Sequence, residues 1–255
     1  MLYEVVAQAS SLVYHSRFTT LHLPLTRYNC RMHICLFDID GTLLSSGGAG
    51  KAAMEAALES EFRTPPSAGG VPFSGRTDRA ITQDLFAFYG IEWSTANWQR
   101  FLTAYLGHLP RCLARHTGKV LPGIAELLEV LVLRDRVAVG LLTGNVRDGA
   151  RLKLQHYGLF QHFRFGGFGD HYLDRDDVAR EALTVIQREF NGSVDGERIW
   201  VIGDTPLDIR CARAIGARAV AVATGFHSFD ELSNARPDLV LADFSDPAPL
   251  LDFFI

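Results

Sequence analysis

Paired cysteines, basic tracts and long apolar runs are scarce in this chain of 255 residues, and each scarcity removes a class of function. The four cysteines, Cys30, Cys35, Cys112 and Cys211, lie far apart and form no Cys-x-x-Cys pair, so neither a zinc site nor a disulfide framework is expected. They read as free thiols, which fits a reducing, cytoplasmic setting. The formal net charge is -4, with Arg mixed among Asp and Glu throughout. That leaves no basic stripe to follow a nucleic-acid backbone, and no nucleic acid is expected as a partner. Apolar runs such as residues 137–142 are far shorter than the roughly 20 residues that cross a bilayer, so no membrane partner is expected either.

Residues 1–31 lack a compact apolar stretch and a small-residue cleavage site, and Glu4 stands near the start; they do not read as a secretory signal. Met32 directly precedes the first convincing strand. A start site placed too early is one expectation for this segment, and a loosely ordered arm or an organelle-targeting sequence are its rivals. N-terminal sequencing of the native protein separates them.

What is present is the composition of a globular chain, 47% hydrophobic and 21% charged, in the ordinary range for such proteins. Short apolar runs recur at residues 33–37, 136–142, 163–165, 198–202 and 219–223, each ending in polar or Gly residues. Such runs are what strands buried on both faces look like. Helical patterns lie between them, at residues 124–133, 147–157, 178–190 and 207–215. Strands alternating with helices predict an α/β fold, a Rossmann-like, doubly wound parallel sheet in which ligands sit at the carboxyl ends of the strands.

Residues 46–120 break this rhythm with helical runs at 51–62, 78–88 and 97–113 and no clear apolar strand. The pattern predicts an inserted helical cap domain. Gly47-Gly48 and Pro122-Gly123 sit near its two ends as hinges, and Pro65-Pro66 and Gly69-Gly70 interrupt it. The expected organisation is thus an extension at 1–31, an α/β catalytic core at 32–45 and 121–255, and the cap at 46–120.

The strongest chemical signal is Asp38-Ile39-Asp40-Gly41-Thr42, directly after the first strand. One carboxylate can attack phosphorus and form an acyl phosphate, dividing a hard displacement into two easier ones. A second, two residues on, can protonate the departing alkoxide and later deprotonate water. Gly203-Asp204-Thr205-Pro206-Leu207-Asp208 follows another buried strand and brings two more acids to the same edge. Four acids in one crevice repel each other unless a cation sits among them, and an oxygen-only donor set points to magnesium. Thr143-Gly144-Asn145 ends a third strand; its hydroxyl and the following backbone N–H groups suit a phosphate oxygen, although an ordinary helix cap would look the same.

Taken together, DxDGT, a Thr at the second strand, a basic residue and GDxxxD resemble the haloacid dehalogenase superfamily over residues 33–243. The resemblance implies Asp38 as nucleophile and Asp40 as general acid and base whose backbone carbonyl also meets the metal. It makes Thr143 a phosphate binder, Asp204 a magnesium ligand, and Asp208 a supporting ligand or an orienter of metal-bound water. Relatives often carry Lys-Pro at the basic motif, whereas this chain reads Asp174-Arg175-Asp176-Asp177. Arg175 is the candidate there, with its planar fork suited to bridging nucleophile and phosphoryl oxygens. Lys153 is the runner-up, placed roughly 15 Å along a helix axis from Thr143 at about 1.5 Å per residue.

Phe73-Ser74-Gly75-Arg76-Thr77-Asp78 resembles the cap loop of phosphoglycolate-phosphatase-like members, in which Arg76 would pair with an anionic tail; Thr77 or Asp78 can equally cap the next helix. Asp40 favours hydrolysis, since phosphonate-cleaving relatives usually have Ala there with a cap lysine, and residues 43–118 contain only Lys51. The expected activity is a magnesium-dependent phosphatase acting on a small phosphorylated metabolite, phosphoglycolate being the first guess, as a monomer or homodimer. A phosphomutase of the β-phosphoglucomutase type and a non-catalytic binding protein are the alternatives.

Overall fold

The first strand is fixed by its alternation: Ile34 and Leu36 face one way, Cys35 and Phe37 the other, and all four are fully buried. In the computed structural model, which describes residues 32–65, 70–192 and 194–254, six parallel strands form one sheet. Their spatial order is β5 (Gly166–Gly167), β4 (Val137–Leu142), β1 (His33–Phe37), β6 (Ile199–Gly203), β7 (Arg218–Val222) and β8 (Leu239–Leu241). Phe37 stands level with Leu141 on one side and Ile202 on the other. The next residues, Asp38, Leu142-Thr143 and Gly203-Asp204, therefore reach the same sheet edge. Expectations for residues 1–31, Pro66 and Gly69 lie outside the described residues.

Each face of the sheet has its own apolar layer. Cys35, Phe37, Val139 and Leu141 pack with α4 (Ile124–Val132) and α5 (Arg147–His156) through Leu127, Leu128, Leu131 and Leu154. Ile34, Leu36 and Val201 pack with α6 (Arg175–Glu189) and α7 (Pro206–Ala214) through Val178, Ala182, Ile186 and Ile209. The sheet is doubly wound, with parallel strands covered on both faces. Burial pushes the Cys35 thiol upward and that of Cys211 to about 12, so both remain protonated; no helix of the described residues is long and apolar enough to cross a membrane.

The strand expected at residues 163–165 forms instead at Gly166–Gly167. A Cβ at position 166 would run into the backbone of Leu141, so the edge pairing needs a residue without a side chain. Phe163 and Phe165 serve as packing groups, Phe165 against Phe190 with ring centroids 5.6 Å apart.

A short antiparallel ribbon, β2 (Leu44–Ser45) with β3 (Lys119–Val120), joins the sheet to three helices between them: α1 (Ala49–Phe62), α2 (Asp78–Tyr89) and α3 (Thr95–Arg115). These helices bury a separate aromatic core. Phe86 meets Phe62, Trp93 and Phe101 at centroid distances of 5.2, 5.7 and 5.8 Å. Thr77 starts α2 by accepting the Ala80 N–H at 3.1 Å, and Ser94 starts α3 by accepting that of Asn97 at 3.2 Å, the usual use of these residues at helix N-termini.

Candidate active site

Asp38 leaves β1 with its N–H donating to the Ile202 carbonyl at 2.9 Å, which aims the buried side chain toward β6 and α7. The turn after it tightens around Ile39, whose carbonyl accepts the Leu43 N–H at 2.9 Å. Gly41 adopts φ 89°, and a Cβ there would collide with the Asp204 carboxyl; the glycine of the motif is required on both counts. Thr42 then donates to Asp204 Oδ1 at 3.1 Å.

Asp204 directly follows β6, and Asp208 lies in the first turn of α7. Thr205 and Asp208 form a reciprocal capping box, with Asp208 Oδ2 accepting from Thr205 N at 3.0 Å and from Thr205 Oγ1 at 2.7 Å. Arg175, the first residue of α6, reaches into this group although only 4% exposed. Its Nη2 donates to Asp208 Oδ1 at 2.5 Å and to the Leu142 carbonyl at 3.3 Å, and lies 3.5 Å from Asp38 Oδ1. The atypical basic residue is thus brought between two of the acids.

Asp38, Asp204 and Asp208 each offer a carboxylate oxygen within 4.8 Å of the others. Burial, eased by Arg175 and worsened by Asp208 and Asp40, pushes the Asp38 carboxyl up to about 6. Asp204 is held well above the carboxylate range, by burial and then by repulsion from Asp208 and Asp38. A buried, oxygen-only cluster that resists its own ionisation fits a hard divalent cation. Because both Asp208 oxygens already have protein partners, Asp38 and Asp204 are the better placed to hold one.

Asp40 lies outside this trio. Its Oδ2 accepts from Lys153 Nζ at 2.5 Å and from Asn145 Nδ2 at 2.9 Å, and Ser46 Oγ approaches Oδ1 at 3.4 Å. Burial alone would raise the carboxyl, but Lys153, Asn145 and Ser46 together hold it below the usual range. The long reach expected to keep Lys153 away does not arise. The helix begins only at Arg147, so Lys153 is in its second turn, and helical side chains slant toward the N-terminus. Its buried Nζ also donates to Asn145 Oδ1 at 2.6 Å.

Thr143 is fully buried, and its hydroxyl accepts from Asn145 Nδ2 at 2.8 Å. Asn145 acts through its side chain as well as its backbone, tying Thr143, Asp40 and Lys153 together. Gly144 and Asn145 precede the helix instead of opening it. Across this loop lies the segment 75–78. Asp78 N–H donates to the Gly144 carbonyl at 2.7 Å, Val146 N–H donates to Asp78 Oδ2 at 2.9 Å, and a Cβ at position 144 would strike the Arg76 carbonyl. Burial, partly offset by Lys153, pushes the Asp78 carboxyl up to about 7. Arg76 lines the same cavity, but its Nη1 is engaged by Asp84 Oδ2 at 2.7 Å and the Pro72 carbonyl at 3.1 Å.

The cavity, about 710 Å³, runs from Asp38 and Asp204 past Lys153 to Met54, Ile81 and Tyr105 on the inserted helices. Asp78 stood in the 73–78 motif only as a helix-cap candidate, and Tyr105 carries no motif that sequence reading could single out. Asn145 and Lys153 were visible as residues, but their side-chain meeting at Asp40 depends on where α5 starts.

This constellation, acids on two neighbouring strand ends with Thr143 on a third and a buried cation between them, has a counterpart among known proteins. The chain belongs to the haloacid dehalogenase-like hydrolases, whose family profile matches residues 35–213, and it is a phosphatase resembling the phosphoglycolate phosphatases. It is 29% identical to the phosphoglycolate phosphatase of Synechococcus elongatus over 84% of this chain and 95% of the relative. With phosphoglycolate phosphatase 1 of Pseudomonas aeruginosa it shares 25% identity, over 86% of this chain and 79% of the other. The fold is also that of the crystal structure of a predicted phosphoglycolate phosphatase from Haemophilus somnus, with a TM-score of 0.68 and 18% identity over 87% of this chain and 98% of that one.

Proposed function

We propose that the protein is a magnesium-dependent phosphatase that hydrolyses a small-molecule phosphomonoester through an aspartyl phosphate on Asp38. The observation that carries this is the placement of Asp38 beside Arg175, 3.5 Å away, with Asp40 held on a separate set of partners. Asp38 attacks phosphorus, forming the Asp38–phosphorus bond as the ester P–O bond breaks. Because the Asp40 carboxyl rests ionised, the proton for the leaving oxygen comes from the Lys153 ammonium in contact with Asp40 Oδ2, and Asp40 relays it. In the second half Asp40 takes a proton from water as the water oxygen attacks phosphorus, and the bond to Asp38 breaks to release phosphate.

Arg175 directs positive charge at Asp38, and the Thr143-Gly144-Asn145 loop offers its hydroxyl and N–H groups to phosphoryl oxygens. Asp38, Asp204 and the Asp40 carbonyl would hold magnesium, with Asp208 behind them; bound there, the ion supplies countercharge for the phosphoryl oxygens. The helices of residues 46–120 act as a cap that keeps bulk water and polymeric phosphates out. The relatives' names make phosphoglycolate the first ester to assay, although Arg76, the expected partner of its carboxylate, is engaged by Asp84.

Phosphate release from small monoesters, with and without magnesium, tests the reading. Asp38→Asn should abolish magnesium-dependent turnover, by a thousandfold or more on the order of other lost nucleophiles. A variant retaining turnover would remove Asp38 from the role.

A further inference from the structure

Most N–H groups of the loop that follows β4 are spent inside the protein. Thr143 N donates to the Gly167 carbonyl at 3.2 Å, Val146 N to Asp78 Oδ2 at 2.9 Å and Arg147 N to Asp170 Oδ2 at 2.9 Å. Asn145 N has only a long bond, 3.3 Å, to Thr143 Oγ1, and the Gly144 N–H has no acceptor among the described residues. Gly144 and Asn145 both line the cavity. Theirs are the N–H groups left for a phosphoryl oxygen.

Asp78 holds the peptide groups on either side of that pair. Its own N–H donates to the Gly144 carbonyl at 2.7 Å, and its Oδ2 accepts from Val146. A peptide unit is planar and trans, so a bond taken at the Gly144 carbonyl aims the Asn145 N–H the opposite way. The second bond serves α5 too. Val146 starts that helix with no side-chain cap bond of its own, and a carboxylate at a helix N-terminus is stabilising. The missing acceptor comes from the first residue of α2, and α5 carries Lys153.

Glycines make room for this contact. A Cβ at position 144 would strike the Arg76 carbonyl, and one at position 169 would strike the Gly144 carbonyl and press on Thr77. The neighbours of Asp78 are fastened to the same loops: Thr77 Oγ1 donates to the Leu173 carbonyl and Arg79 Nη1 to that of Asp170, both at 3.2 Å. Asp78 itself is only 6% exposed. A residue of the inserted helices is thus seated among the loops of the sheet edge, and the reaction steps above leave its carboxyl unused.

We propose that Asp78 is a positioning residue: by accepting the Val146 N–H it lets docking of the inserted helices fix the 143–146 loop, so that the phosphate site is complete only while residues 75–78 are docked. This rests on the phosphatase reading above and adds the residue that ties the cap to the phosphoryl group. Such coupling is reciprocal, so phosphate at the loop must in turn favour docking.

Kinetics of wild type, Asp78→Ala and Asp78→Asn on p-nitrophenyl phosphate and glycerol phosphate with magnesium, together with inhibition by inorganic phosphate, test it. Asp78→Ala should lower kcat/KM for both esters alike and raise the inhibition constant of phosphate, each by about tenfold, on the order of one lost hydrogen bond to a charged group. Asp78→Asn keeps an acceptor for Val146, and burial already pushes the acid up to about 7, so the amide should stay within about threefold of wild type. The proposal is overturned if Asp78→Ala leaves the phosphate constant unchanged or if Asp78→Asn loses as much as Asp78→Ala. Unequal losses on the two esters also overturn it, since they would put the carboxyl on the leaving group. Where Asp78→Ala does not fold, hydrogen exchange at the Val146 amide of wild type decides: inorganic phosphate with magnesium should slow it, and an unchanged rate sinks the coupling. A wild type that releases phosphate from neither ester brings down the phosphatase reading, and the inference with it; turnover of p-nitrophenyl phosphate by wild type keeps the two failures apart.

Discussion

At the sheet edge every reactive carboxyl is fixed by polar partners, whereas the inserted helices keep their shape with rings. Asp208 is held at both oxygens by Arg175 and Thr205, Asp204 by Thr42, and Asp40 by Lys153 and Asn145. On the other side of the cavity, Phe86, Phe101 and Tyr105 meet through aromatic contacts. Hydrogen bonds set direction as well as distance, while apolar burial is non-directional. Displacement is therefore least tolerated at the sheet edge, and a changed side chain is absorbed most easily among the inserted helices.

The largest effect that could break this contrast is expected at the polar end. Arg175→Met leaves Asp38 and Asp208 without their buried cation, and breaking such a pair from one side costs about 3–5 kcal/mol. Urea denaturation should show a loss of that order, and phosphatase turnover should fall by about a thousandfold. A variant that keeps both would show that the acids need no fixed partner.

Phe86→Ala removes a fully buried ring from the aromatic core, at about 3–5 kcal/mol by analogy with other core truncations. Its turnover of p-nitrophenyl phosphate, assayed well below its unfolding midpoint, should fall much less than that of Arg175→Met. Equal losses would mean that the two regions are not separable.

The smallest effect lies away from both regions, at the start of β1. His33 accepts the Trp200 indole N–H at Nδ1 at 3.3 Å, and burial, then Arg198 and Arg218, hold its pKa below 6.5. The unfolded chain therefore binds the proton first, and stability present above pH 6.5 is lost as the pH falls through the folded-state pKa. The thermal midpoint of His33→Gln should depend less steeply on pH in that window; an identical slope would assign the effect to other groups.

Much of this was legible in sequence because buried parallel strands leave a plain mark, apolar runs that stop at the chemistry. Asp38, Thr143 and Asp204 each follow such a run, and Arg175 follows from its position at a helix start. The edge strand at Gly166–Gly167 was displaced because pairing there depends on absent side chains, a requirement hydrophobic patterns do not encode. β8, at Leu239–Leu241, is short and half-buried and carries little signal. Lys153 was discounted by counting along an axis from Thr143, when the loop 143–146 intervenes and α5 begins at Arg147. The 73–78 loop was legible, but the bond from Val146 N–H to Asp78 Oδ2 forms only where insert and sheet meet, a contact between segments that local pattern cannot register.

The ribbon joining the two regions has a bearing on how such enzymes diversify. Leu44 stands opposite Val120 and Ser45 opposite Lys119, so the chain leaves the sheet and comes back at one spot. For the strand order, everything between is a detour, and loop closure grows only slowly more costly with length. A lineage can exchange that detour like a cassette, reshaping the far wall of the cavity while the acids at the sheet edge keep their places.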